Sequence, residues 1–353
     1  MKPVLLLVIG AIVSLTTATF KEATPFFAEK NVIPADSTQP FSDPVLPGKG
    51  LHEHPFLYAG EWDTRNAMQN LQTLFVVRGG KVVWSYGFPI KDSAGVIQEL
   101  GDASMLKNGN IIFSGKTFAA LITPAKKIIW KYTAPKNSEI HTAQPIGPNQ
   151  VLLMQNGNLT TPRLLIFNTK TNTIEKELAI ATTNPDHPHG QFRHIRMTKA
   201  GTFLIPNMSG KVVEIDADGK EIWQVTAPGA WAAVRLKNGN TLISGDSKGF
   251  AREVNPKGET VWEFTQKDVP TIKIFNIQEA TRLDNGNTVI ANWCAGLKND
   301  ADWPKTVQIL EVTPAKKVVW ALRSWDAPND LGPASSIHLL DQKGLMENFD
   351  LQR

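Results

Sequence analysis

A recurring tryptophan, a recurring Asn-Gly turn and complementary chain ends predict an all-β, six-bladed β-propeller with four-stranded antiparallel blades. The chain has 353 residues with 37 Lys+Arg against 33 Asp+Glu, 10 Trp, 26 Gly, 23 Pro and a single Cys. The first repeat places Trp after a turn and two apolar or β-branched residues: Lys81-Val82-Val83-Trp84, Lys127-Ile128-Ile129-Trp130, Lys220-Glu221-Ile222-Trp223, Glu259-Thr260-Val261-Trp262 and Lys317-Val318-Val319-Trp320. A sixth copy, Lys170-Thr171-Asn172-Thr173-Ile174-Glu175, keeps the turn but carries Glu175 in the Trp position. The second repeat reads Leu106-Lys107-Asn108-Gly109-Asn110, Leu236-Lys237-Asn238-Gly239-Asn240 and Leu283-Asp284-Asn285-Gly286-Asn287, with looser copies at Ile146 and Met197. Asn-Gly between apolar β-branched runs marks a hairpin and predicts positive φ at both central residues. Each repeat thus holds two hairpins, the size of one propeller blade.

Taken in chain order, Met1–Leu15 combines one positive charge with about 12 apolar residues, followed by Thr16-Thr17-Ala18. This pattern predicts a secretory signal peptide over residues 1–18, and the run is shorter than the roughly 20 residues of a membrane span. Export to the periplasm or the extracellular space follows as the expectation. No Cys lies near the expected cleavage point, which argues against a lipid anchor, and no later stretch of the sequence reads as a span. Residues 19–55 are a Pro-rich extended leader. The propeller is expected over 56–345, with a short tail at 346–353.

Inner strands are expected to start near Gly101, His141, Arg193, Trp231 and Gln278. The segment from Phe56 to Phe88 supplies three strands only. Ser336–Asp341 at the other end of the chain supplies the fourth, so the two ends close the ring in one blade. Seven blades fit the repeat count less well, and an open array of sheets would leave two exposed edges. A charge of +4 without a Lys/Arg run argues against nucleic-acid binding. One Cys excludes a disulfide scaffold and a Cys-ligated zinc module.

The two motifs resemble the repeats of bacterial PQQ-like and arylsulfotransferase-like propellers over about residues 56–341. The resemblance implies the fold, but a propeller hosts many functions. It would also imply quinone and calcium ligands or a nucleophilic channel His, and neither set matches residue by residue. Propeller ligands gather at one channel mouth, where the starts of the inner strands form a ring: Ser335-Ser336, Gly101-Asp102, His141-Thr142, Arg193-His194, Trp231-Ala232 and Gln278-Glu279. Candidate ligand-binding residues are Asp102, His141, Arg193, His194, Trp231, Gln278 and Glu279, with Trp62, Asp63 and Trp293 from two long loops. Polar residues lining a water-filled channel would read the same way.

Three functions fit this ring. The first is binding of a small molecule, glycan or protein partner. The second is group transfer, or carbohydrate cleavage by a lyase or hydrolase. There His141 or His194 would act as nucleophile or base, Arg193 would hold an anion, and Asp102 or Glu279 would orient or donate a proton. The third is a scaffold in cell-envelope assembly. The run His187-Pro188-His189 with His194 offers imidazoles for a metal ion, although its spacing matches no established motif. No other cofactor is expected. Cys294 has no base beside it in sequence, and it reads as an inert buried thiol.

Overall fold

The computed structural model describes residues 45–61, 70–208, 210–246 and 249–342. The expected signal peptide, most of the leader and the tail therefore lie outside the described residues, as do Trp62 and Asp63. Six four-stranded antiparallel sheets make up the fold. Blade 1 contains β1 (Phe56–Gly60), β2 (Leu71–Arg78) and β3 (Lys81–Pro89). Blade 2 is β4 (Leu100–Met105), β5 (Ile111–Gly115), β6 (Phe118–Ile122) and β7 (Ile128–Thr133). Blade 3 is β8 (Ser138–Gly147), β9 (Gln150–Gly157), β10 (Arg163–Asn168) and β11 (Thr173–Ala179). Blade 4 begins with the two-residue β12 (Arg196–Met197) and continues with β13 (Phe203–Asn207), β14 (Lys211–Ile215) and β15 (Glu221–Thr226). Blade 5 is β16 (Ala230–Arg235), β17 (Thr241–Gly245), β18 (Phe250–Val254) and β19 (Thr260–Phe264). Blade 6 is β20 (Asn276–Arg282), β21 (Thr288–Trp293), β22 (Ile309–Val312) and β23 (Val318–Leu322). The last strand, β24 (Ala334–Leu339), pairs antiparallel with β1 and completes blade 1, so the ring closes through both ends of the chain.

The hydrophobic core is six layers, one between each pair of neighbouring blades. Successive strand residues point to opposite faces. Phe56 and Tyr58 pack with Trp320 and Leu322 of blade 6, while Leu57 and Ala59 pack with Leu100 and Phe113 of blade 2. This explains why the strands read as continuous apolar runs: both faces of each blade are covered.

The repeated Trp residues act between blades. Trp84 donates from its indole N–H to the Pro124 carbonyl of blade 2 at 2.8 Å, Trp223 to Pro256 of blade 5 at 2.8 Å, and Trp262 to Pro314 of blade 6 at 2.9 Å. Trp320 in the last blade instead donates to Gly50 at 2.9 Å, and Ala321 N–H to Pro47 at 3.0 Å. The end of the leader thus docks on the outer strand of blade 6. A β-carbon on Gly48 would stand 2.8 Å from Trp320 Cδ1, which demands glycine at this close approach.

The Asn-Gly turns differ from the two-residue form expected from the sequence. Gly109 N–H donates to Leu106 and Leu106 N–H to Asn110, which closes a three-residue loop. Only the glycine has positive φ, 84° at Gly109, 86° at Gly239 and 89° at Gly286. The Asn108 side chain instead accepts from Asn110 N–H at 3.0 Å. This is a type I turn closed by a left-handed glycine bulge, which needs positive φ at one position only.

Candidate functional site

Every inner strand slips its register by one residue at the same place. Against the second strand of the blade, one extra residue is accommodated at Ser335, at Gly101-Asp102, at His141, at Trp231 and at Gln278. In blade 4, residues 193–195 stand opposite only two residues of β13. A β-bulge bends the strand and re-aims its side chain. Six bulges in a ring therefore direct Ser335, His141, Arg193, Trp231 and Gln278 to one end of the channel, with Gly101 in the sixth place. The residues that follow them form a second layer.

At the mouth, His141 and His189 share one carboxylate. Glu139 Oε2 lies 2.9 Å from His141 Nε2 and 3.0 Å from His189 Nδ1. The other nitrogens of both rings face Arg193, whose terminal nitrogens approach His141 Nδ1 at 3.2 Å and His189 Nε2 at 2.6 Å. A guanidinium only donates, so both of these nitrogens present lone pairs and both imidazoles carry their N–H toward Glu139. Arg193 also reaches Glu99 at 3.4 Å, and Lys116 bridges Glu99 and Glu139 at 3.3 and 3.4 Å. Burial raises the Glu99 carboxyl, but the positive charges of Arg193 and Lys116 outweigh it and hold it at about 2. Burial, and then Arg193, push His141 down to about 4, so it is neutral at pH 7. Glu139 is held well below the ordinary carboxylate range, because its bonds to His141 and His189 outweigh burial.

The opposite side of the mouth is aromatic. Trp231 meets Trp293 edge to face at 5.8 Å, and Arg193 lies 5.4 Å from the Trp231 ring. Trp293 donates its indole N–H to Glu61, and Ser335 Oγ donates to the same carboxylate at 2.8 Å. Burial, reinforced by the negative charge of Glu99, pushes Glu61 up to about 7. Trp231 Nε1 and Gln278 Oε1 are buried and have no hydrogen-bond partner among the described residues.

In the second layer, polar groups cross the channel. Asp102 lies 2.5 Å from His194 Nδ1, and it accepts from both terminal nitrogens of Arg196 at 2.9 and 2.8 Å and from Ala143 N–H at 3.0 Å. Glu279 accepts from Ser336 Oγ at 3.1 Å and Ile337 N–H at 2.9 Å, and lies 3.6 Å from Arg196. Burial raises Asp102, but Arg196 and His194 outweigh it and keep it ionised, whereas burial raises Glu279. Further along the strands, Ser104, Gln144, Arg196, Thr281 and His338 line a cavity of about 40 Å³. At about 10–15 Å³ for each water, it holds on the order of three waters. Apart from this cavity, the polar side chains of the second layer fill the bore.

The structure thus separates the candidates named from sequence into two layers. His141, Arg193, Trp231, Gln278 and Trp293 are at the mouth, and Asp102, His194 and Glu279 are in the plug. His187, His189 and His194 do not form a cluster. His189 joins His141, His194 joins Asp102, and among the described residues His187 is in neither group of metal-ligating side chains. The reason is local: a 3-10 turn over Pro188–Gly190 carries His189 away from the start of the inner strand. Trp303 packs inside its loop against Trp325 at 5.0 Å, beside the buried Cys294. Glu99, Lys116 and Glu139 were not read from sequence. A signal existed, because Glu99 and Glu139 lie two residues before Gly101 and His141, the same strand face at period two. Lys116 lies in the loop between the second and third strands of blade 2.

Residues 171–296 match the repeat family described as outer membrane protein assembly factor BamB. No curated protein matches the sequence. Among solved structures, a protein of unknown function from Bacteroides caccae aligns at 24% identity and a TM-score of 0.68, over 80% of this chain and 98% of its own. A virginiamycin B lyase from Staphylococcus aureus, solved as a catalytically inactive variant with quinupristin, aligns at 14% identity and a TM-score of 0.51, over 82% of this chain and 92% of its own. These two likenesses concern the fold. Among the described residues no helix is long and apolar enough to cross a membrane. Repeats, ring closure and blade count together identify a six-bladed β-propeller, of which residues 171–296 are similar to that repeat family.

Proposed function

We propose that this protein is an exported propeller that binds a small polar ligand at the mouth built by the six inner-strand bulges. One observation carries this reading: among the described residues, the buried donor Trp231 Nε1 and the buried acceptor Gln278 Oε1 have no partner. They stand on the bulges of neighbouring blades 5 and 6. A buried polar atom left unpaired costs about 1–3 kcal/mol, so a bound group that accepts from one and donates to the other is favoured. A hydroxyl or a primary amide does both. A glycan would enter by one such end group, with Trp293 as the adjoining aromatic surface. Export rests on the apolar N-terminal run.

A thermal-shift screen of small amides, polyols and sugars tests this reading. A binder should raise the melting temperature of the wild type and lose that effect in Gln278→Ala and Trp231→Phe, both still folded. Binders that act equally on all three proteins would refute it. An enzymatic reading draws support from Glu61, whose value of about 7 is matched to proton transfer near neutral pH, with the neutral His141 in the same ring of residues. It requires turnover of a hydrolase, lyase or sulfotransferase substrate that disappears in His141→Ala. A scaffold role, suggested by the assembly-factor description of the repeat family, requires a co-purifying protein partner.

A further inference from the structure

We infer that Glu99, His141 and His189 form a binding site for one divalent transition-metal ion of the zinc class, with Arg193 as an internal cation that holds the same three groups together in its place. The convergence is measured by Arg193 itself: one of its terminal nitrogens is 3.2 Å from His141 Nδ1 and 3.4 Å from Glu99 Oε2, and the other is 2.6 Å from His189 Nε2. These three atoms come from three successive blade entries: the residue before β4, the bulge of β8 and the turn before β12. Two imidazole lone pairs and one carboxylate oxygen are a standard donor set for zinc, cobalt or nickel.

The remaining imidazole nitrogens supply an independent reason. A metal-bound imidazole characteristically gives its other N–H to a carboxylate, which fixes the ring and strengthens the ligand. Here one carboxylate, Glu139, takes both N–H groups, at 2.9 and 3.0 Å. For a guanidinium alone this arrangement is a poor match, since its fork pairs best with two oxygens of one carboxylate. Arg193 instead faces two imidazole nitrogens, and among the described residues its Nε has no partner. The deeper group of Asp102, His194 and Glu279 fails the same comparison. Arg196 already takes both oxygens of Asp102, and His194 shares that carboxylate.

The experiment uses the full chain, stripped with a chelator, and Co²⁺ or Zn²⁺ alone, so it is read without any organic ligand and stands or falls separately from the mouth-binding reading. One equivalent of Co²⁺ should bind and give a visible absorption band, and Zn²⁺ should displace it. Removing a carboxylate that holds the ligand imidazoles by their other N–H costs about 10–100-fold in affinity, the loss expected for Glu139→Gln, with larger losses for Glu99→Gln and His189→Ala. Arg193→Met removes a competing positive charge within about 4 Å and should tighten binding on the order of tenfold. Circular dichroism and thermal melts check that each variant folds, and His189→Asn replaces His189→Ala if the latter does not. The inference is overturned if stripped wild type binds no Co²⁺ above the level of a folded His141→Ala/His189→Ala protein, or if Arg193→Met binds no more tightly than wild type.

Discussion

A β-carbon on Gly101 would stand 2.4 Å from the carbonyl oxygen of His141 and 2.5 Å from Ser114 Oγ. The one ring position without a side chain is therefore one where the backbone of blade 3 leaves no room for a Cβ. Gly101→Ala should cost about 1–3 kcal/mol through overpacking, read by denaturant unfolding, and should displace the His141 ring. An unchanged midpoint would show that blades 2 and 3 can part at no cost. Glu61 gives a second residue-level expectation. Its folded-state value of about 7 is above the ordinary 4.5, so the folded chain holds this proton more tightly than the unfolded chain. Its contribution to stability is then full below about 4.5 and is lost as pH rises through about 7. Glu61→Gln should flatten the fall in melting temperature across that interval, and an unaltered slope would exclude Glu61 as its source. Among single residues, the ring was legible in the sequence because its members sit at a fixed offset from the Leu of the Asn-Gly motif. Glu99 and Glu139 were not, because they stand two residues ahead of the bulge, outside that offset. Glu61 was visible only as part of a loop, since its contact with Trp293 spans 232 positions of sequence.

At the level of elements, the Trp strand and the turn of the next blade form one unit. The indole bonds to Pro124, Pro256 and Pro314 explain why the Pro turn and the Trp recur together. Blade 3 has no Pro in its turn, and the Trp130 indole N–H that faces it has no partner among the described residues. Blade 3 itself carries Glu175, which bonds Gln150 and Asn168 within its own blade. The junctions on both sides of blade 3 thus lack the staple. Trp223→Phe should cost about 0.5–1.5 kcal/mol for the lost hydrogen bond, whereas Trp130→Phe loses no such bond. Amide exchange should accordingly be fastest in β10 and β11 among the third and outer strands, and equal protection of all six blades would contradict this. The repeats made these elements legible, but the turn type was not. The Asn-Gly pair is compatible with both a two-residue and a three-residue loop, and only the backbone bonds between Leu106, Gly109 and Asn110 distinguish them.

Over the whole molecule, closure joins the two ends of the chain. His54, just ahead of β1, lies 3.1 Å from Asp341, just after β24, and 3.1 Å from Glu311 of blade 6. Burial lowers its pKa, but Glu311 and Asp341 outweigh burial, so the value in the fold is raised above 6.5. This clasp therefore stabilises fully below 6.5 and is lost as pH rises through the raised value. Between about pH 6 and about pH 9 the wild type should lose more stability than His54→Asn, and a parallel loss would remove His54 from closure. The closing strand was readable as the missing fourth strand of blade 1. The plugged channel was not, because it depends on pairs such as Asp102 with Arg196, which are far apart in sequence and meet only across the ring. The central claim is that the six bulges build a ligand site at the open end of this plug. An atomic-resolution crystal structure of the purified protein tests it most directly. The account predicts a non-protein group bonded to both Trp231 Nε1 and Gln278 Oε1. Finding both atoms paired with groups of the protein itself would contradict it.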